Sequence, residues 1–148
     1  MKSDPLISFR RKPAALDVKH LESFAQVLRD RVARGREFHC RITGDADLRR
    51  WNAQFRGRDA ATDVLSFPSG EPDSLGDIAI SMQRARAQAR EWGHKIEDEI
   101  RILMLHGVLH LIGMDHESDS GQMRRAETRW RRELGLPSGL IERVRERA

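Results

Sequence analysis

Two hydrophobic rhythms run along the chain and divide it near its middle. The first half carries short stretches with a period of about two, the signature of half-buried strands. Leu6 to Arg11 predicts a short strand and Glu37 to Thr43 a second. Thr62 to Phe67 forms a third, stopped by Pro68, and Leu75 to Ile80 a fourth. The segment between the last two, Pro68 to Ser74, is built of turn formers. Helical spacing interrupts these strands twice. Asp17 reads as an N-cap ahead of apolar positions at Leu21, Phe24, Ala25, Val27 and Leu28, with Gly35 ending the pattern. Asp45 caps a short helix through Trp51 and Phe55. From Ser81 onward the chain reads as helical. One helix reaches Trp92, a strongly apolar one covers Ile96 to Ile112, and a basic amphipathic one covers Ser120 to Leu134. The expected fold class is α+β: one domain over residues 1–148, with a mixed β-sheet packed against helices and a central apolar helix.

Composition narrows the picture. At 148 residues with 39% hydrophobic and 34% charged positions, the chain can bury one core, and its composition is not that of a disordered protein. No apolar run approaches the ~18–20 residues needed to cross a bilayer, and the N-terminus does not read as a signal peptide. A cytoplasmic protein without membrane partners is expected. Cys40 is the single cysteine, which excludes internal disulfides and cysteine metal cages; its alternating surroundings predict a buried, inert thiol. A net charge of +4 with a pI of about 10.0 is a mild excess that favours polyanions without identifying one.

The chemistry concentrates in Leu103 to His116. His106 and His110 stand four apart on a helix, a spacing that brings their Cβ atoms to about 5–6 Å on one face. In so apolar a helix, unpaired imidazoles would each cost roughly 1–3 kcal/mol, and a shared metal removes that penalty. Gly113 can reverse the chain just past the helix and swing His116 back toward the pair. Three neutral imidazoles with one open position describe a catalytic site, best suited to one zinc ion per chain, although imidazole also accepts nickel, copper or iron. His20, His39 and His94 read as surface or capping residues.

The placement of His106, His110, Gly113 and His116 matches metzincin proteases, with one break. Those enzymes carry a glutamate as general base directly after the first histidine, where this chain has Gly107. Gly107 also costs the helix up to ~1 kcal/mol, which close approach of another backbone or of a bulky substrate would offset. With that departure the segment closely resembles the YbeY-type rRNA maturation factors, whose signature is His-Gly-x-Leu-His-Leu-x-Gly-Tyr-Asp-His. The match from His106 to His116 fails only at Met114, where tyrosine is usual. Asn52 to Asp59 and Thr62 to Phe67 resemble the same family's Asn-x-x-Tyr/Phe-Arg-Gly-Lys-Asp and Thr-Asp-Val-Leu-Ser-Phe runs, and Leu75 to Ile78 continues them.

The resemblance implies a zinc-dependent, single-strand-specific endoribonuclease. Its work would be 16S rRNA 3′-end maturation and ribosome assembly and quality control, with rRNA, the small subunit and assembly proteins as partners and no DNA. It transfers the metal ligands to His106, His110 and His116 and the functional arginine to Arg56, and implies that Met114 changes a contact near the site while the metal stays. Read from the residues alone, Arg56 is either a turn arginine or a guanidinium that stabilises charge developing on a phosphoryl group. Asp115 either orients a ligand imidazole, takes a proton, or caps the next helix. Asp63 and Asp77 suit turn or edge roles as well as chemistry. The arginines at 124, 125, 129, 131 and 132, interspersed with Glu127 and Glu133, read as a solvated face or a phosphate-tracking one. With 5% aromatics and no tyrosine, little base stacking is expected. The rival functions are a zinc metallopeptidase-like hydrolase, which Gly107 disfavours, and a metal-stabilised assembly factor with little catalysis.

Overall fold

Alternation places Phe38, Cys40 and Ile42 on the buried face of the strand Glu37–Thr43 and leaves His39 and Arg41 on the other. A computed structural model describes residues 4–141 and 143. Among them, four strands form one mixed sheet in the order β1-β2-β4-β3: β1 Ile7–Phe9, β2 Glu37–Thr43, β3 Val64–Pro68 and β4 Ser74–Ser81. The pairs β1/β2 and β2/β4 are parallel, and β3/β4 is antiparallel. The helices are α1 Val18–Val27, α2 Asp45–Arg56, α3 Met82–Trp92, α4 Ile96–Leu111 and α5 Gln122–Leu134. The expected α+β arrangement is what the structure has.

α4 is buried nearly all round, against the sheet on one side and α1, α3 and α5 on the others. Its neighbours from the sheet include Ile78 and Ile80, and the main core runs on through Leu21, Phe24 and Leu28. The opposite face of the sheet carries a smaller cluster in which Leu48 of α2 meets Leu65 and Ala79, with Trp51 and Phe67 at its edge. α2 covers only part of that face.

Several boundaries differ from the sequence reading, each for a physical reason. β1 is shorter than Leu6 to Arg11, and Glu22 accepts hydrogen bonds from the Leu6 and Ile7 amides at its start (3.0 and 3.1 Å). Asp17 does cap α1, accepting from the His20 amide at 3.1 Å, but beyond Val27 the helix widens into a π turn over Leu28–Val32. Asp45 begins α2 instead of capping it. Its amide goes to Gln83 Oε1 at 2.6 Å, and its carboxylate accepts from the Ser81 hydroxyl and the Arg84 guanidinium. β3 ends at Pro68 as expected, with the proline as its last residue, which an edge strand tolerates because one side has no ladder to complete. α5 starts at Gln122, two residues later than read, because Asp119 caps it through the Gly121 and Met123 amides (2.8 and 2.9 Å).

Cys40 is fully buried, and burial pushes its thiol well above the usual range, which keeps it protonated and inert. His20 is exposed and His39 partly so. His94 corrects the surface reading: its side chain is largely buried, and Nε2 lies 2.7 Å from Oε1 of the fully buried Glu99. Arg143 meets the same carboxylate with two parallel bonds of 2.9 Å.

Gly76 shows why β3 and β4 pair so closely. Its φ of +134° is open to few residues, and a Cβ there would lie 2.1 Å from the Phe67 carbonyl oxygen. Gly76→Ala should therefore destabilise the fold by at least about 2 kcal/mol, through backbone strain and forced separation of the strands. Urea unfolding checks this; an unchanged midpoint would show that the hairpin yields at no cost.

Candidate metal centre

The site is assembled by the last turns of α4 and the bend after it. His106 and His110 point from consecutive turns, with ring centroids 4.7 Å apart. Gly113, at φ +101°, lets the chain reverse after Ile112, and His116 returns to centroid distances of 5.4 and 5.5 Å from the two helical rings. One ring nitrogen from each histidine lies within 4.8 Å of the other two. The burial grades outward: His106 is buried, His110 half-buried, and His116 the most open of the three.

Hydrogen bonds fix which nitrogens face inward. His110 Nδ1 lies 3.0 Å from the Met114 carbonyl, which can only accept, so that nitrogen carries the proton. His106 Nδ1 lies 2.8 Å from Glu127 Oε2 and donates to this carboxylate in the same way. Neutral rings so arranged aim their Nε2 lone pairs at each other, and those atoms are 3.1 Å apart. Two acceptors at that distance repel unless a proton or a cation lies between them. Tetrahedral zinc with bonds of about 2.0–2.1 Å would hold such nitrogens roughly 3.3 Å apart, so the pair fits the ion closely and His116 completes a looser third position. Burial first, and then the neighbouring His106 and His116, lower the pKa of His110 and keep its ring neutral, as a ligand must be.

The expectation of unpaired imidazoles is corrected in part: each helical ring has one partner, and the shortage concerns only the nitrogens that face the cluster. Glu127 is the residue that sequence reasoning missed. The charge pattern puts it on a solvated face, yet it is 2% exposed and also accepts the Ile141 amide at 2.8 Å through Oε1. A signal is there in the sequence. Met123, Ala126, Trp130 and Leu134 form the inward stripe of α5, and position 127 falls on it. A single acid on an apolar stripe marks a buried partner.

Gly107 serves neither a neighbouring backbone nor a substrate. A Cβ there would lie 3.0 Å from Ile78 side-chain atoms, so the glycine lets α4 settle onto β4. Its carbonyl accepts from the Ser66 hydroxyl at 3.1 Å, which ties α4 to the edge strand. A glutamate at this position would point into the sheet.

A cleft of about 490 Å³ opens over the three histidines. Arg56 and Arg58, from the end of α2, form one wall, and Asp63, Ser66 and Asp115 also line it. A continuation on the far side of His106 and His116 reaches Asp119 and Arg124. Arg56 is thus brought to the same cleft as the histidines. Asp115 lines it too, but its carboxylate accepts from the Glu117 amide and the Ser118 hydroxyl (3.1 and 3.0 Å), bonds that hold it below the usual carboxylate range. These bonds close a tight turn and cap no helix, because α5 begins only at Gln122 and its first amides go to Asp119. Asp63 accepts from Gln88 at 3.1 Å, and Asp77 faces His39 on the opposite side of the sheet.

The profile of the family described as Endoribonuclease YbeY matches residues 7–135. The chain belongs to the YbeY endoribonuclease family. It is 64% identical over 138 residues to an Endoribonuclease YbeY of Solibacter usitatus, with 93% of each chain covered. A YbeY of Nautilia profundicola is 44% identical over 86% of this chain and 89% of that one. The solution structure of TM1509 from Thermotoga maritima is similar at a TM-score of 0.57 and 27% identity, covering 88% of this chain and 93% of that one. Membership agrees with a glycine after the first histidine, which separates the YbeY motif from that of the metzincins.

Glu127→Gln keeps an acceptor for His106 but removes its charge. If the triad holds metal, affinity should fall about tenfold, at the low end for loss of an outer hydrogen-bond partner. Competition with a coloured chelator reads this directly; an unchanged affinity would leave Glu127 only its bond to the Ile141 amide.

Proposed function

We propose that this YbeY chain is a zinc-dependent, single-strand-specific endoribonuclease. Its place would be 16S rRNA 3′-end maturation and ribosome assembly and quality control in the cytoplasm, with the small subunit and assembly proteins as partners. The observation that carries the reading is the facing pair of Nε2 atoms, locked by Glu127 and the Met114 carbonyl, in a cleft shared with Arg56. His106, His110 and His116 are the proposed ligands. Zinc in this cradle would supply Lewis-acid polarisation of a phosphoryl oxygen.

The residues divide the remaining work. Three neutral imidazoles add no negative charge of their own, so with a zinc ion bound its charge would stay uncompensated and the floor of the cleft would favour an anion such as a phosphodiester. Arg56, at the rim, binds the phosphate through its planar donors and stabilises the charge that grows as the bond breaks. Glu127 holds the His106 ring and its tautomer in place. Asp115 shapes the bend that returns His116. Met114 contributes its carbonyl to His110, a backbone role that the usual tyrosine would fill equally well.

A peptidase reading loses its support, because the position that would hold the general base is directed at Ile78 and away from the cleft. Among the described residues no helix is long and apolar enough to cross a membrane.

Purified protein should cleave single-stranded RNA and spare casein, and a chelator should abolish the cleavage. Arg56→Ala should retain its metal, measured by elemental analysis, while losing about 10²-fold in rate. His110→Ala should lose both. Cleavage by His110→Ala at the full rate would assign the activity to a contaminant, and an Arg56→Ala variant of full activity would remove the arginine from the mechanism.

A further inference from the structure

The face of the sheet opposite α4 carries a second groove, of about 820 Å³, that the cleavage reading does not use. α2 covers one side of this face. The uncovered part is lined by His39 and Arg41 of β2, Phe67 of β3, Asp77 of β4, and Trp51 and Phe55 of α2. The chain has three tryptophans and five phenylalanines, and three of these eight rings meet here.

Phe55 stands out. It is 61% exposed, one of two large apolar side chains left exposed among the described residues. A single exposed apolar residue is ordinary. This one is edge-on to Phe67, at 5.4 Å between centroids and 66° between planes, and keeps most of its surface open. Arg50 lies over the Trp51 ring at 5.7 Å. Arg41 is anchored by the Ser8 hydroxyl at 3.3 Å. Arg41 and Arg56 outnumber the single carboxylate of Asp77, which His39 faces at 3.8 Å.

The groove is continuous with the cleft over the histidines. Arg56, Ser66 and Pro68 line both. The edge strand β3 is the ridge between them, since Ser66 faces α4 while Phe67 faces the groove. A chain held at Arg56 can therefore cross the ridge without leaving the protein surface. Exposed rings beside guanidinium groups are the arrangement that holds single-stranded nucleic acid, through stacking and phosphate contacts together.

We propose that this groove is a base-stacking track for single-stranded RNA lying to one side of the cleavage site, with Phe55 as its open stacking surface. The proposal rests on the ribonuclease reading for its choice of ligand. It revises the expectation of little stacking: the rings are few, but they are gathered where the substrate would pass.

The test is anisotropy of a fluorescein-labelled single-stranded oligoribonucleotide mixed with metal-loaded protein and read ahead of cleavage. A second oligonucleotide replaces a run of nucleotides by abasic residues, which keeps the phosphates and removes the stacking partners. Phe55→Leu should weaken binding of the first about tenfold, the range expected for one stacked base. Phe55→Trp should restore it. The abasic oligonucleotide should bind wild type and Phe55→Leu alike. Equal binding of the base-bearing RNA by both overturns the proposal and leaves the groove to a protein partner; so does an equal loss with the abasic one. Wild type that binds no RNA overturns it as well. Wild type that binds with the Phe55 dependence but does not cleave defeats the nuclease reading alone, and cleavage without Phe55 dependence defeats the track alone.

Discussion

The closeness of α4 to the sheet at Gly107 conditions most of the structure around the histidines. A helix apolar on every side must be covered on every side, and β4 covers it with Ile78 where a Cβ at 107 would lie at 3.0 Å. With the helix lowered by that much, its carbonyl comes within reach of the Ser66 hydroxyl. The turn bearing His106 is then registered against the sheet edge, and β3 becomes a wall of the cleft. The same small residue removes the base that a metzincin would carry. Packing and chemistry are joined here, because the space a glutamate would need is occupied by the core.

Two buried carboxylates complete the frame. Glu99, in the first turn of α4, takes both nitrogens of Arg143 and one of His94. Glu127, from α5, takes His106 and the Ile141 amide near the other end of α4. Burying either charge alone would cost several kcal/mol, and a buried pair adds little stability over an apolar replacement. Such groups supply definite direction instead. Each bonds a residue of the segment beyond α5, and Glu127 sets the orientation of a candidate ligand through that same carboxylate.

The sequence was most readable where one period dominates. Glu37–Thr43 alternates without interruption and its bounds as read agree with the structure; α4 misses by one residue at its end. The bend at Gly113 and the return of His116 came from glycine chemistry alone. Three misread polar residues share one cause, which is partners that other elements of the fold supply. Asp45 looks like a cap until Gln83, 38 residues on, takes its amide. His94 looks exposed until Glu99 and Arg143 close over it. Glu127 has its partner 21 residues away. Local pattern cannot weigh a charge whose burial is decided by tertiary packing.

The same distinction bears on charge. A net +4 over 148 residues says little about a polyanion, and the basic helix α5 divides its arginines between surfaces. Arg124 lines both the extension of the cleft and a shallow hollow beside it, to which Arg125, Arg129, Arg132 and Glu133 belong. Around the histidines, cations arrive instead from α2 and α5, on opposite sides of the three rings. The acids nearby have structural work: Asp115 and Asp119 hold turns and caps, and Asp63 meets Gln88. The bonds to Asp115 and Asp119 hold both below the usual carboxylate range, so they stay ionised while they hold the backbone. Asp63, Asp115, Glu117 and Asp119 outnumber Arg56, Arg58 and Arg124 along the cleft, so a preference for an anion would have to come from a bound cation and from how close Arg56 stands to it, because fold and not composition decides which charges reach the centre.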